Sequence, residues 1–311
     1  MVSIDRRRFM TGGVAAAACA LAGRRGAEAA TGDRPEAAGG SGILFGACRK
    51  IGDVAALKAA GYDFWEWSVP EAFNPEKDGE WWKKQRDRLA AAPLPLRSCN
   101  GFIPGKFRIT GPAADHEPAL KWAEVAMRRA EEAGVKTIVF GSGGARNVPG
   151  DFTGKNRPDV EKGVEQYTRF CIELARRTAD LANTTVVIEP LRPNESNIIN
   201  YVWQGAQIVE AAGSPRIRLL ADIFHMMMGR ESAESITRAA DLIKHCHIAD
   251  WSTRRYPGEN PNETRRLAPY LLALKKAGYA GGVSCECGWP GKEPFAAKLE
   301  KALATMKGIV K

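Results

Sequence analysis

Four residues that can bind a metal ion recur at regular intervals in the second half of the chain. Each stands at the end of a short apolar run, and the four are Glu189, Asp222, His247 and Glu286. They are separated by 33, 25 and 39 residues, and each separation fits one strand followed by one helix. Three carboxylates and one imidazole form an oxygen-rich ligand set that suits Mn²⁺, Mg²⁺ or Co²⁺, and Zn²⁺ can also accept it. The spacing therefore predicts one divalent metal ion as the cofactor.

The elements that must position these residues alternate between strands and helices. Short apolar runs with β-branched residues predict eight strands, at Ile43–Ala47, Tyr62–Val69, Leu94–Cys99, Lys136–Phe140, Thr184–Ile188, Ile217–Ala221, Ile243–Ile248 and Gly282–Glu286. The segments between them carry apolar residues every three or four positions, as from Val160 to Leu181. Because no second linker interrupts residues 43–311, we predict an α/β fold with a single (β/α)8 TIM barrel domain.

The ends of the predicted helices support a closed barrel. Four helices finish with a glycine suited to the left-handed position that ends a helix, namely Gly61, Gly134, Gly213 and Gly278. Their spacings of 73, 79 and 65 residues each correspond to two strand–helix units. A doubly wound open sheet would need a phosphate-binding glycine turn after its first strand. The residues from Cys48 to Gly52 do not provide one.

Reacting groups in such a barrel lie at the carboxyl ends of the strands, so we expect the four side chains to converge there. Glu66 and Asn100, near the ends of strands two and three, could line the same pocket, or make an internal salt bridge or turn bond. Arg146 closes a glycine-rich segment after strand four and could contact a polyhydroxylated or anionic ligand, although a plain loop is an equal alternative. His245 could be functional or packed in the interior.

Taken in order, these motifs resemble the xylose isomerase-like TIM barrels, in the branch of sugar phosphate isomerases and epimerases that includes ketose 3-epimerases and hydroxypyruvate isomerases. The matching segments are Ile188–Leu191, Asp222–His225, His245–Asp250, Arg254–Gly258 and Glu286, within a resemblance that covers residues 44–311. The resemblance implies that Glu189, Asp222, His247 and Glu286 hold one divalent metal ion. It also implies that His225 and Arg254 contact the substrate, although Arg254 follows His247 by seven residues where the epimerases have six.

The implied chemistry is proton transfer next to a sugar carbonyl through an enediolate, with Glu189 and Glu286 as the catalytic acid–base pair. The chain would then be an isomerase or epimerase with a sugar or keto-sugar substrate. A lyase or hydratase acting on 3-keto sugars or glycosides could use the same metal site, and a non-catalytic sugar-binding barrel is a further alternative. A nuclease of the endonuclease IV kind is disfavoured, because its trinuclear zinc site needs more histidines than the four in this chain.

The N-terminal residues carry the marks of a targeting segment. Arg6 and Arg7 precede an apolar stretch from Thr11 to Ala22, and the run from Ala27 to Ala29 offers a cleavage site. Residues 1–29 are therefore predicted to be a twin-arginine signal peptide, and residues 30–42 a flexible leader. The alternative is an uncleaved membrane anchor, but a stretch of about a dozen apolar residues is too short to span a bilayer comfortably. We expect export, to the periplasm or the extracellular space.

Charge limits the partners of the mature chain. Loss of residues 1–29 removes five arginines and two acids, which leaves 40 basic residues against 34 acidic ones and no basic run. We therefore expect no nucleic-acid partner, and no stable membrane insertion after the signal peptide is cleaved. A homo-oligomer is left open.

The export prediction can be tested by localisation. The precursor should lose residues 1–29 in a cell with a working twin-arginine translocase, and Arg6→Lys combined with Arg7→Lys should leave it uncleaved in the cytoplasm. Immunoblots of periplasmic and cytoplasmic fractions measure both outcomes. Normal export of the double variant would refute the signal peptide.

Overall fold

The fold is described from a computed structural model of the whole chain. The structure describes residues 42–150, 158–288 and 295–311. The predicted signal peptide and all but the last residue of the predicted leader lie outside these ranges.

Eight parallel strands close into a barrel in which each strand pairs with the next and β8 returns to β1. The strands are β1 (Leu44–Cys48), β2 (Phe64–Ser68), β3 (Leu96–Asn100), β4 (Thr137–Phe140), β5 (Thr185–Ile188), β6 (Ile217–Asp222), β7 (Ile243–Ile248) and β8 (Gly282–Cys285). Every predicted strand is present, with its ends within two residues of the predicted ones. The prediction of a single (β/α)8 barrel is confirmed.

Helices follow the strands, and the long ones form the outer layer. They are α1 (Val54–Ala59), α2 (Val69–Ala72), α3 (Gly79–Ala90), α4 (His116–Glu132), α5 (Gly143–Arg146), α6 (Val160–Arg177), α7 (Val202–Ala212), α8 (Ile223–Met228), α9 (Glu234–Arg238), α10 (Pro261–Lys276) and α11 (Phe295–Val310). Successive long helices pack side by side, and α11 closes the ring against α1. None of the described helices is long and apolar enough to cross a membrane.

The helix faces follow from the apolar spacing in the sequence. In α4, residues such as Leu120, Ala123 and Met127 are fully or almost fully buried, and they share one side of the helix. Asp115 caps the amino end of this helix through its side chain, which accepts a hydrogen bond from the backbone N–H of Glu117. The apolar stripe thus fixes which side of each helix lies against the strands.

The barrel interior is packed near its floor and becomes polar towards the carboxyl ends of the strands. Phe64 fills the space that two glycines leave open, since a Cβ atom on Gly46 or Gly282 would lie 2.3 or 2.8 Å from its ring. His245 packs edge-on against the same ring. Because side chains alternate along a strand, Glu66 and His247 follow two residues later on the same interior face, one layer nearer the rim.

Candidate metal centre

The four predicted metal ligands meet at the carboxyl ends of the last four strands. Each of Glu189, Asp222, His247 and Glu286 offers one ligand atom, and these atoms all lie within 4.8 Å of one another. Glu189, Asp222 and His247 are buried, whereas the side chain of Glu286 keeps 25% of its surface exposed. The cluster is therefore closed from below and open at the side of Glu286.

The two ring nitrogens of His247 face different groups, one the carboxylates of the cluster and the other the side chain of Glu66. Its Nδ1 lies 3.1 Å from Glu189 Oε1, 3.8 Å from Asp222 Oδ2 and 3.7 Å from Glu286 Oε2. Its Nε2 lies 2.9 Å from Glu66 Oε1, a hydrogen-bond distance at which Nε2 is the donor to the carboxylate. Nδ1 is thus the nitrogen that faces the three carboxylates, and it would supply a lone pair to a cation that displaced its proton.

Glu66 does not line the pocket, so the prediction that it binds substrate is corrected. Its side chain is fully buried between two histidines, with Oε2 2.8 Å from His245 Nε2 and Oε1 bonded to His247. Although burial alone would raise the pKa of Glu66, the two histidines hold it well below its usual range. The carboxylate points into the barrel because Glu66 lies inside β2, two residues before that strand ends. The interior interpretation of His245 is the one that the structure supports.

Glu286 carries an electrostatic cost that a cation would relieve. Burial raises the pKa of its carboxyl to about 7, and the carboxylates of Glu189 and Asp222 add to the rise against the lowering effect of His247. Arg254 also opposes it, since Nη2 donates to Glu286 Oε2 at 2.5 Å. Because a divalent cation stabilises ionised carboxylates, it would favour the charged form of Glu286 beside the two other carboxylates.

Arg254 reaches the cluster despite its seven-residue separation from His247. It adopts a left-handed backbone with φ of 51°, which is uncommon for a residue other than glycine and costs free energy. Its Nη1 donates to Glu195 Oε1 at 3.0 Å, and its guanidinium stacks over the ring of Phe224. The strained backbone thus places a fixed positive charge at the open side of the cluster.

Two further predicted residues lie at the edge of the cluster. His225 is buried, with Nε2 3.7 Å from Asp222 Oδ2, and neither ring nitrogen has a hydrogen-bond partner among the described residues. Asp222 also caps α8, because Oδ1 accepts the backbone N–H of His225 at 2.9 Å. Asn100 Nδ2 lies 3.4 Å from Glu286 Oε1. The amide of Asn100 is partly exposed and can meet an entering molecule, whereas the ring nitrogens of His225 are buried behind Asp222 and Glu195.

Glu195 is a residue that the sequence analysis missed. It lies in the loop after β5, where Oε2 is 3.8 Å from His225 Nε2 and Oε1 accepts hydrogen bonds from Arg192 and Arg254. The available signal was an acid six residues after Glu189, in a loop at the carboxyl end of a strand. That signal is weak, because a sequence does not show which way a loop turns.

Arg146 does not contact the pocket, and its prediction as a substrate ligand is corrected. The side chain is fully buried, and its donors bind the carbonyl oxygens of Phe140, Glu189 and Ile199 and the hydroxyl of Ser196. Its guanidinium is occupied by protein acceptors because α5 carries it back under the loop after β5. A free substrate therefore has no access to it.

The ligand chemistry and charge of this cluster fit one divalent cation. The carboxylates and the imidazole suit hard or borderline metals, and the ligands come from separate rigid strands. A second group, formed by Cys48, Glu66 and His247, also has ligand atoms within 4.8 Å of one another. In that group Glu66 and His247 Nε2 are already bonded to each other, so the four-residue cluster is the better candidate.

Comparisons with known proteins agree with this architecture. The family model described as the xylose isomerase-like TIM barrel matches residues 54–309. The chain is 30% identical over 132 residues to D-psicose 3-epimerase from Agrobacterium fabrum, a match that covers 41% of this chain and 42% of that protein. It is 32% identical over 149 residues to L-ribulose 3-epimerase from Mesorhizobium japonicum, covering 46% of this chain and 48% of that one. The matched stretch thus spans less than half the length of either relative.

The solved structures extend the likeness of the fold over most of the chain. The apo form of 3-keto-D-glucoside 4-epimerase YcjR from E. coli superposes with a TM-score of 0.70 at 19% identity, covering 86% of this chain and 99% of that one. Identity this low supports the fold alone. The family model, however, matches far more than half of the residues. The chain belongs to the xylose isomerase-like TIM barrel family.

Proposed function

We propose that this chain is a divalent-metal-dependent sugar epimerase or isomerase that moves a proton on a carbon next to a carbonyl. The observation that carries the proposal is the four-residue cluster, in which two glutamates from separate strands, Glu189 and Glu286, stand beside a candidate cation position. Two relatives that are named as ketose 3-epimerases, for D-psicose and L-ribulose, support this reaction class.

Glu189, Asp222, His247 and Glu286 are the residues that would hold the metal ion. When bound, a divalent cation supplies Lewis-acid chemistry, which polarises a carbonyl and acidifies the neighbouring C–H bond. Mn²⁺, Mg²⁺ or Co²⁺ suits the three carboxylates, and Zn²⁺ is compatible with the set. Glu66 fixes the orientation of His247, so that Nδ1 rather than Nε2 faces the carboxylates.

Proton transfer falls to Glu189 and Glu286. They stand at strands β5 and β8, which are three places apart in a ring of eight, so their carboxylates approach the pocket from well-separated directions. One can remove a proton from a sugar carbon while the other returns a proton from the opposite face, which inverts the centre. Return to the adjacent carbon gives an isomerisation instead. A bound cation would offset the burial and the neighbouring carboxylates that raise the pKa of Glu286, and would so keep this carboxylate ionised, as a general base must be.

The rim supplies groups that recognise a neutral polyhydroxylated molecule. Asn100 is partly exposed and can donate and accept, and the buried His225 has ring nitrogens without a hydrogen-bond partner among the described residues, which a small shift of its side chain would bring to a ligand. Arg254 is held between two carboxylates, Glu286 and Glu195, so its charge is already balanced. These groups favour hydroxyl and carbonyl oxygens as ligands over a phosphate, which would need uncompensated positive charge.

A lyase or hydratase on 3-keto sugars would form the same enediolate and then expel a β substituent. A sugar-binding barrel would bind a sugar without exchanging any of its protons with the solvent.

We also propose export of the chain by the twin-arginine route, supported by the arginine pair and the following apolar stretch.

The contact between Glu66 and His247 predicts the strength of metal binding. Glu66→Gln should weaken Mn²⁺ binding about 10–100-fold, because a neutral amide strengthens the basicity of His247 less than a carboxylate does and accommodates either tautomer of the ring. Titration calorimetry of the metal-free protein measures the affinity. Glu71→Gln, the same substitution at an exposed position after β2, serves as the control and should bind like the wild type. Equal affinity of all three proteins would remove Glu66 from the metal centre.

The two glutamates predict distinct kinetic defects. Glu189→Gln and Glu286→Gln should each lower turnover by about a thousandfold or more, because each keeps an oxygen ligand but loses the base. One variant should still exchange the substrate proton with D₂O without forming product, since removal and return use different carboxylates. NMR of ketoses, 3-keto glycosides and hydroxypyruvate in D₂O follows both processes.

The same screen discriminates between the candidate functions. Glu210→Gln on the outer face of α7 is the matched control and should keep normal turnover. Loss of a β substituent in the wild-type reaction would favour the lyase. Sugar binding without any exchange in the wild type would favour the binding protein. Near-normal turnover of both glutamine variants would contradict the two-glutamate mechanism.

A further inference from the structure

The segment after β4, from Gly141 to Arg146, contacts the site without contributing a ligand to it. A Cβ atom on Gly141 would lie 2.2 Å from Glu189 Oε2. Real Cβ atoms do not approach an oxygen so closely, so only glycine leaves room for the carboxylate where it stands. The nearest atoms to such a Cβ belong to side chains, so a larger residue at this position would displace the carboxylate of Glu189 rather than the backbone.

The next glycines differ in what surrounds them. A Cβ atom on Gly143 would lie 2.6 Å from the backbone oxygen of Glu195, so this glycine lets the loop after β5 approach. A Cβ atom on Gly144 would meet Gly105 Cα at 3.4 Å, which is an ordinary contact. Two of the glycines thus make room for parts of the site, and Gly144 does not.

Arg146 braces the same region from below. Nη1 donates to the backbone oxygen of Glu189 at 2.8 Å, Nη2 to that of Ile199 at 3.3 Å and Nε to Ser196 Oγ at 3.1 Å. Ile199 adopts a left-handed backbone with φ of 56°, which is unfavourable for a β-branched residue. The guanidinium therefore stabilises a strained turn whose start is Glu189 and whose middle carries Glu195.

We infer that Gly141 and Arg146, at the two ends of this segment, form a template that sets the position of the Glu189 carboxylate and are positioning residues for the metal centre. The inference rests on the proposed function, because it assigns Glu189 a place in metal binding. Gly141 limits the carboxylate from the side, and Arg146 fixes the backbone from which it extends. A template of this kind predicts an effect on metal binding that exceeds its effect on folding.

Gly141→Ala and Gly144→Ala test the inference in the full chain. Gly141→Ala should weaken Mn²⁺ binding to the metal-free protein about 10–100-fold, as measured by titration calorimetry, because the carboxylate must move. Its thermal unfolding temperature without metal should stay within a few degrees of the wild type. Gly144→Ala should leave both quantities unchanged.

A double-variant cycle separates positioning from general support. In a Glu189→Ala background the clashing oxygen is absent, so Gly141→Ala should cause little further loss of Mn²⁺ affinity. Arg146→Lys keeps the charge but cannot reach all four acceptors, and its effect should likewise shrink in that background.

Two results would overturn the inference while leaving the proposed function intact. One is wild-type Mn²⁺ affinity in Gly141→Ala. The other is an equal loss in both backgrounds with a large drop in unfolding temperature, which would show a purely structural role. Failure of the wild type itself to bind Mn²⁺ would overturn the proposed metal site and this inference together.

Discussion

Three carboxylates held within 4.8 Å of an imidazole and of one another repel strongly, since most of this cluster is shielded from water. The surrounding structure supplies positive charge to balance them. Burial alone would lower the pKa of His247, but the carboxylates of Glu66 and Glu286 raise it well above its usual range. Arg254 contributes a fixed charge at the open side. A divalent cation at the centre would complete the balance.

Rigid elements keep these repelling groups together. The four residues stand at or just after the ends of four successive strands of a closed barrel, so their backbones are held in place by strand pairing. Behind them, Glu66 joins His247 to His245, and Arg146 ties Glu189 to the loop that carries Glu195. The free energy of folding thus holds an arrangement that the carboxylates alone would not adopt. The same rigidity suits proton transfer, in which donor and acceptor atoms must already lie close to the reacting carbon.

The barrel and the four converging residues could be predicted from the sequence, because both depend on periodic features. Strand-end positions repeat once in each strand–helix unit, and the carboxyl ends of all strands share one rim. Glu195 and the roles of Glu66 and Arg146 could not be obtained in this way. Glu195 and Arg146 depend on how two loops fold against each other, and Glu66 on its depth within β2. Neither the packing of the two loops nor the depth of a residue in the barrel follows from the spacing of apolar residues in the sequence.

Anomalous scattering from crystals of the purified protein grown with Mn²⁺ would locate the cation directly. We expect one strong peak per chain, within about 2.0–2.6 Å of one oxygen from each of Glu189, Asp222 and Glu286 and of His247 Nδ1. The other ring nitrogen, Nε2, should remain bonded to Glu66. An absent peak at full Mn²⁺ saturation, a peak away from these four side chains, or three peaks clustered at the barrel mouth would rule out a single metal ion held by these four residues.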